Sequence, residues 1–90
     1  MGPWPLRKFA RSLAEALRLP RTSARIVDVL AASSRRLSVK EIVRRVRMSE
    51  RSVRGNLALL LRRGLLERRE VSSSRRREYA YRLRPREDLL

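Results

Sequence analysis

Two helix-start signals stand eleven positions apart in the middle of the chain, and they constrain its fold more than any other feature. In "LSVKEIVRRV", Ser38 and Glu41 have the spacing of a capping box, which predicts a helix that starts at Val39. In "MSERSV", Ser49 is placed to cap the next helix. The sequence therefore predicts two short helices joined by a tight turn over residues 47–49.

Apolar residues at helical spacing predict two further helices before this pair. The first has one apolar stripe and should end at Pro20. Its stripe consists of Leu6, Phe9, Leu13 and Leu17. The second helix lies in "RTSARIVDVLAASSRR", where we expect Thr22 or Ser23 to be the N-cap.

A helix and a hairpin are predicted after the turn. The helix should run from Glu50 to about Arg63, with Gly64 as its left-handed C-terminal cap. The segments "LLERREV" and "EYAYRL" are predicted strands, and the basic loop "SSSRRR" joins them. Tyr79 and Tyr81 alternate with polar residues, so both should face the core.

The order of these elements is that of a winged helix-turn-helix, a mainly helical α+β fold. The run from residue 37 to 83 resembles the winged-helix domains of MarR-like and archaeal TrmB-like transcription regulators, and the resemblance extends over roughly residues 23–83. Its most specific part is the spacing of Val53, Leu57, Leu60, Gly64, Leu65 and Leu66. One departure is Arg47, where these families often have Gly in the turn.

The expected organisation is an N-terminal amphipathic helix over residues 1–20, a winged helix-turn-helix domain over residues 21–83 and a loose C-terminal tail over residues 84–90. The domain should contain a three-helix core and a β-hairpin wing. The N-terminal helix is an addition to that core.

Charge points to an anionic partner. The formal net charge is +15 and 22 of the 24 basic residues are arginine, whose planar guanidinium suits phosphate oxygens and guanine edges.

The chain has no Cys and no His, which excludes zinc fingers, thiolate chemistry and histidine bases from this chain. We therefore expect no enzymatic activity, no cofactor and no metal. Without a signal-peptide segment or a long apolar run, a cytoplasmic location without membrane contact is expected.

The predicted helix over residues 50–63 has two different faces. At about 100° per residue, Val53, Leu57 and Leu60 share the core side. The opposite side and its flanks carry Arg51, Ser52, Arg54, Gly55, Ala58 and Arg62. Small residues and arginines on one face would let the helix enter a major groove. The alternative is a solvated face on which Gly55 has no role.

Three further groups complete the predicted DNA-contacting set. Asn56 could pair with an adenine edge, contact a phosphate or make a structural hydrogen bond. In the wing, the backbone or a minor groove is the expected target of Arg75, Arg76 and Arg77, and the alternative is a solvated loop. The helix cap Ser49 also belongs to the predicted set, and Arg44 and Arg45 are expected to lie near phosphates or else to face water.

The leading functional hypothesis is a transcriptional regulator that binds double-stranded DNA. The alternatives are a winged helix that binds structured RNA, as in a ribosome-associated protein, and a protein-protein adaptor. We expect a two-fold homodimer in which the stripe of Leu6, Phe9, Leu13 and Leu17 packs against its mate. The alternative is that this helix folds back on its own domain.

Overall fold

The computed structural model describes Glu15, residues 17–73 and residues 76–85. Within this part of the chain, three helices and three strands follow one another. In chain order they are α1 Arg21–Ala31, β1 Leu37–Ser38, α2 Val39–Val46, α3 Glu50–Arg62, β2 Leu66–Ser73 and β3 Arg76–Leu83. The predicted winged helix-turn-helix and its mainly helical α+β class are confirmed.

The predicted start of α1 is wrong. The helix begins at Arg21 after an extended Pro20, and neither Thr22 nor Ser23 caps it with its side chain. Both hydroxyls instead donate hydrogen bonds to Asn56 in α3. A partner on a neighbouring helix thus replaces the local cap.

The turn between α2 and α3 has the predicted form. The capping box is complete, because the Ser38 hydroxyl accepts from the Glu41 N–H at 3.2 Å and the Glu41 carboxylate accepts from the Ser38 N–H at 3.2 Å. Arg47 ends α2 in the left-handed conformation, with φ of 56°, where an arginine is mildly strained. Ser49 then caps α3 by accepting the Ser52 N–H at 3.1 Å.

The C-terminus of α3 is closed by a Schellman motif. Gly64 has φ of +73°, and its N–H donates to the Leu61 carbonyl at 3.0 Å. The Leu65 N–H reaches back to the Leu60 carbonyl at 3.1 Å. These are the two hydrogen bonds that a glycine after a helix end makes possible, and they direct the chain from α3 into β2.

The three strands form one antiparallel sheet in the order β1-β3-β2. Its hairpin is confirmed, but its strands are longer than the sequence predicted, because the ladder continues to the pair of Ser73 and Arg76. Arg76 and Arg77 therefore belong to β3 and not to a loop. Arg75 lies outside the described residues.

One hydrophobic core joins the helices to the sheet. Its fully buried side chains include Ile26, Leu37, Ile42, Val53, Leu57 and Leu60. Tyr81 is buried and Tyr79 packs against the core at its edge, as predicted. The guanidinium of Arg68 covers the outer side of the Tyr79 ring at 4.1 Å.

The described chain extends a short way beyond the predicted winged helix-turn-helix domain at both ends. Glu15 is helical, and the chain turns at Leu17 and Arg18, where the Arg18 N–H donates to the Glu15 carbonyl at 3.1 Å. The helix that contains Glu15 therefore ends before Leu17 and not at Pro20. Leu6, Phe9 and Leu13 lie outside the described residues. At the other end, the Arg84 N–H donates to the Leu65 carbonyl at 3.0 Å. Residues 86–90 of the predicted tail lie outside the described residues. No helix in the described ranges has the length and apolarity needed to cross a membrane.

Candidate nucleic-acid interface

The outer face of α3 is free of contacts with the core. Val53, Leu57 and Leu60 are buried on the inner side. Five residues on the other side are exposed, and they are Arg51, Arg54, Gly55, Ala58 and Arg62. We call these five residues the α3 outer face. The division into two sides agrees with the helical spacing in the sequence, and it leaves a ridge with short side chains between arginines at its two ends.

Gly55 has no packing function inside the described structure. A Cβ atom added at this position would meet nothing within 4 Å. Glycine within a helix costs about 1 kcal/mol relative to alanine, and here no neighbouring atom demands it. The missing side chain therefore affects only how closely another molecule can approach α3 at this position.

Positive charge is concentrated around the turn and α3. Residues 40–63 contain eight basic and two acidic side chains. The Glu50 carboxylate accepts a hydrogen bond from Arg54 at 3.3 Å, and both side chains of this ion pair are exposed. Within the described part of the chain, Arg51 and Arg62 make no ion pair. The outer face therefore has positive charge available for an anionic partner.

Arg44 and Arg45 lie on α2 and are exposed. They stand in its last turn, where positive side chains also interact favourably with the helix dipole. Their exposure leaves both predicted alternatives open, a phosphate contact and simple solvation.

Ser49 and Ser52 serve the start of α3. The Ser49 hydroxyl accepts the N–H of Ser52, while the Ser52 side chain is half-buried and lies 4.0 Å from the Met48 sulfur. Ser49 remains exposed. Because its hydroxyl caps α3, Ser49 can contact a ligand only if the N-terminus of α3 also lies against that ligand.

Asn56 does not belong to the α3 outer face. It is half-buried, its Oδ1 accepts from Thr22 at 3.1 Å and from Ser23, and its Nδ2 donates to the Ser52 carbonyl at 2.8 Å. Of the three roles that the sequence allowed for Asn56, the structure shows the structural hydrogen bond.

A depression with a basic rim lies between α2, α3 and β3. Lys40, Arg54 and Arg77 line it together with Tyr79 and Tyr81, and its volume is about 90 Å³. Sequence reasoning missed Lys40, because its distance from the wing depends on the pairing of β1 with β3. Arg77 is 82% exposed and lies 3.8 Å from Glu70. Arg76 is described for its backbone only.

Two carboxylates outside the depression form ion pairs that the sequence did not indicate. Glu67 accepts from Arg36 at 2.9 Å and from Arg82, so it ties the segment before β1 to both strands of the wing. The hydrogen bond from Arg82 lowers the pKa of Glu67. Glu41 receives the guanidinium of Arg35, which lowers its pKa from 4.5 to about 2.

Groups of acidic, histidine or cysteine side chains suited to a metal ion do not occur in the described ranges. The exposed side chains that line the depression are three cations, Lys40, Arg54 and Arg77, and one carboxylate, Glu78. The excess of cations over carboxylates suits the binding of an anion.

Comparison with known proteins identifies relatives of this domain. A family model described as the MarR family matches residues 18–77. A search of curated protein sequences found no match. Among solved structures, PerR from Streptococcus pyogenes, described in connection with peroxide sensing and gene regulation, superposes with a TM-score of 0.68 at 22% identity, covering 80% of this chain and 54% of that one.

A second solved structure, described as a transcriptional regulator, has a TM-score of 0.63 at 25% identity. The alignment covers 92% of this chain and 56% of that one. The chain thus spans about half the length of the solved structures that it resembles.

Proposed function

The chain belongs to the MarR family, and from this premise we propose that it is a transcriptional regulator that binds double-stranded DNA. The observation that carries the proposal is the α3 outer face, where exposed arginines flank a glycine whose missing side chain leaves open space. An adaptor surface would place acids or large apolar side chains at these positions, and this face has neither.

In this proposal α3 is the recognition helix and enters the major groove. Arg51 and Arg54 lie in its first two turns, where a recognition helix approaches base edges. Gly55 and Ala58 allow the helix backbone to lie close to the bases. Arg54 must leave Glu50 to reach a guanine, which is a small cost because exposed ion pairs contribute little to stability.

The DNA backbone would run through the depression between α3 and the wing. Lys40, Arg54 and Arg77 line it beside a single carboxylate, Glu78, so one phosphate could meet cations from α2, α3 and β3. Arg44, Arg45 and Arg62 would neutralise neighbouring phosphates. Arg75, which lies outside the described residues, and Arg76 at the start of β3 are proposed to reach the adjacent minor groove.

We propose a two-fold dimer as the DNA-binding form. The support is the apolar stripe of Leu6, Phe9, Leu13 and Leu17, of which Leu17 is 38% exposed. A dimer would present two recognition helices about one DNA turn apart, ~34 Å, and would read a near-palindrome.

Gel-shift titration over a salt series tests the proposal. Duplex DNA, single-stranded DNA and structured RNA of equal length are compared. Duplex DNA should bind most tightly, with a log-log salt slope of about −0.9 per phosphate neutralised and on the order of four to eight phosphates per subunit. Preference for structured RNA would favour the RNA alternative, and no binding to any nucleic acid would favour an adaptor.

A further inference from the structure

We propose that Asn56 is a positioning residue that fixes the recognition helix against α1, and that Thr22 and Ser23 act on DNA reading through it. We call these three residues the α1–α3 clamp. The inference rests on the proposed function for its effect on DNA, whereas its structural part concerns the free protein.

The clamp is a short chain of hydrogen bonds between two helices. Thr22 Oγ1 donates to Asn56 Oδ1 at 3.1 Å, and the Ser23 hydroxyl donates to the same oxygen. On its other side, Asn56 Nδ2 donates to the Ser52 carbonyl at 2.8 Å. The amide therefore joins the first turn of α1 to the backbone of α3 one turn before Asn56 itself.

Burial makes this contact sensitive to position. Ser23 is 0% exposed and is the polar residue found among the buried side chains of the described chain. A buried hydroxyl without a partner is costly, because it has left water without replacing its hydrogen bond. Any shift of α3 that separates Asn56 from Ser23 carries that cost, so the clamp restricts how α3 can move.

The clamp lies at the part of α3 where distance to DNA matters most. Asn56 follows Gly55 directly, on the inner side of the ridge with short side chains. A small displacement here changes how closely the helix backbone can approach a groove, and it redirects Arg51 and Arg54. A hydrogen bond to a base edge tolerates a change of only a few tenths of an ångström in the donor–acceptor distance. The attraction between a cation and a phosphate, by contrast, acts over several ångströms.

Two other contacts fix the surroundings of the clamp. The guanidinium of Arg25, one position beyond the first turn of α1, donates to the Val46 carbonyl at the end of α2. Arg63 Nη1, at the end of α3, donates to the Leu17 carbonyl at 3.2 Å. The start of α1 and the segment before it thus contact both helices of the helix-turn-helix.

The test removes the clamp from the α1 side, away from the α3 outer face. A duplex that the unsubstituted chain selects from a random library is compared with a scrambled duplex of the same composition. Thr22→Val and Ser23→Ala, singly and together, should lower the ratio of the two affinities by about tenfold for the double variant. The salt slope on the scrambled duplex should not change, because the phosphate-contacting cations remain.

Thr22→Ser is the matched control, since it keeps the hydroxyl and should retain the ratio of the unsubstituted chain. Thr22 is exposed, so its variants test the clamp even where Ser23→Ala reduces stability. Residual dipolar couplings of the free proteins report the angle between α1 and α3, which should differ in the double variant and not in Thr22→Ser.

An unchanged angle in the folded double variant would overturn the inference, as would an equal weakening on both duplexes, which is the result of a merely structural role. If the unsubstituted chain binds no duplex, the proposed function fails, and the dipolar couplings still decide whether the clamp positions α3.

Discussion

At the scale of single residues, side chains of one type have different tasks that depend on their neighbours. Arg51 has no ion pair within the described residues, Arg54 shares Glu50, and Arg35 is held by Glu41. The first is free to contact a ligand at once, the second must exchange partners, and the third stabilises a helix start. Charge alone therefore does not identify which arginines are available to a ligand.

Arg51→Ala and Arg54→Ala should each reduce discrimination between a selected duplex and a scrambled one by roughly 1–3 kcal/mol, because alanine cannot make the bidentate hydrogen bonds to guanine. Competition gel shifts with both duplexes measure the effect. Arg69→Ala is the charge-matched control, since Arg69 is exposed and pairs with Ala80 across the hairpin. Equal weakening on both duplexes would make Arg51 and Arg54 phosphate contacts.

Gly55→Ala should act in opposite directions on stability and on binding. The free energy of unfolding should rise by about 1 kcal/mol, since the helix gains alanine and the new Cβ meets no atom within 4 Å. DNA affinity should fall, because a methyl group forced into a close helix–DNA contact costs about 1–3 kcal/mol. Thermal unfolding and gel shifts measure the two effects. A stabilised variant with unchanged affinity would show that nothing approaches Gly55.

At the scale of elements, the start of α2 and the wing are held by carboxylates. Glu41 completes the capping box of α2 and also accepts from Arg35. Glu67 joins Arg36 to Arg82 and so fixes the base of the wing. All three ion pairs lie outside the α3 outer face, and they hold the elements that carry the cations proposed to contact DNA.

Acid should weaken the start of α2. Because the pKa of Glu41 is lowered from 4.5 to about 2, its contribution to stability is complete above pH 4.5 and disappears as the pH falls through about 2. Glu41→Gln keeps a side chain suited to a capping box but has no titrating carboxylate. The difference in unfolding free energy between the two proteins, from urea titrations, should shrink between pH 5 and pH 2. A constant difference would contradict this role of Arg35.

Replacing Arg75, Arg76 and Arg77 with serine should lower affinity for all duplexes and make the salt slope shallower, by about 0.9 for each phosphate that is no longer neutralised. Thermal stability should hardly change, since Arg77 is 82% exposed and its ion pair with Glu70 is long, at 3.8 Å. Filter binding at several salt concentrations measures the slope. A folded triple variant with an unchanged slope would mean that the wing arginines are only solvated.

At the scale of the whole molecule, the described chain is a single winged helix with an excess of positive charge, and the segment before α1 is partly exposed. Large exposed apolar side chains in the described part are Leu17 and Val71. Leu17 is the last residue of the N-terminal apolar stripe, and its carbonyl accepts a hydrogen bond from Arg63. The proposed dimer contact would therefore continue directly into the helix-turn-helix.

Phe9→Asp combined with Leu13→Asp should give a monomer with a folded winged helix and much weaker binding to a two-site duplex, because two charges replace the apolar stripe and a monomer reaches only half of the phosphates. Sedimentation and circular dichroism measure assembly and folding. Leu17→Asp should act in the same direction. An unsubstituted chain that sediments as a monomer at tens of micromolar would contradict the dimer.

The sequence by itself determined where the middle helices start and how they end. Ser38 with Glu41, Ser49, and Gly64 each act on backbone groups within about six positions, so their partners are present in any conformation that forms the helix. The same locality made the core side of α3 predictable, because helical spacing alone brings Val53, Leu57 and Leu60 together. The position of the tight turn could likewise be predicted, and Arg47 stands there in the left-handed conformation where related families often have Gly.

Only the tertiary structure decided which polar groups meet across elements. Thr22 and Ser23 lie more than thirty positions from Asn56, and as isolated residues they suit an N-cap as well as a side-chain partner. The approach of Lys40 to the wing likewise depends on the register that pairs Leu37 with Tyr81. Such contacts depend on how packed helices and strands are aligned to within an ångström, and local spacing contains no information about that alignment.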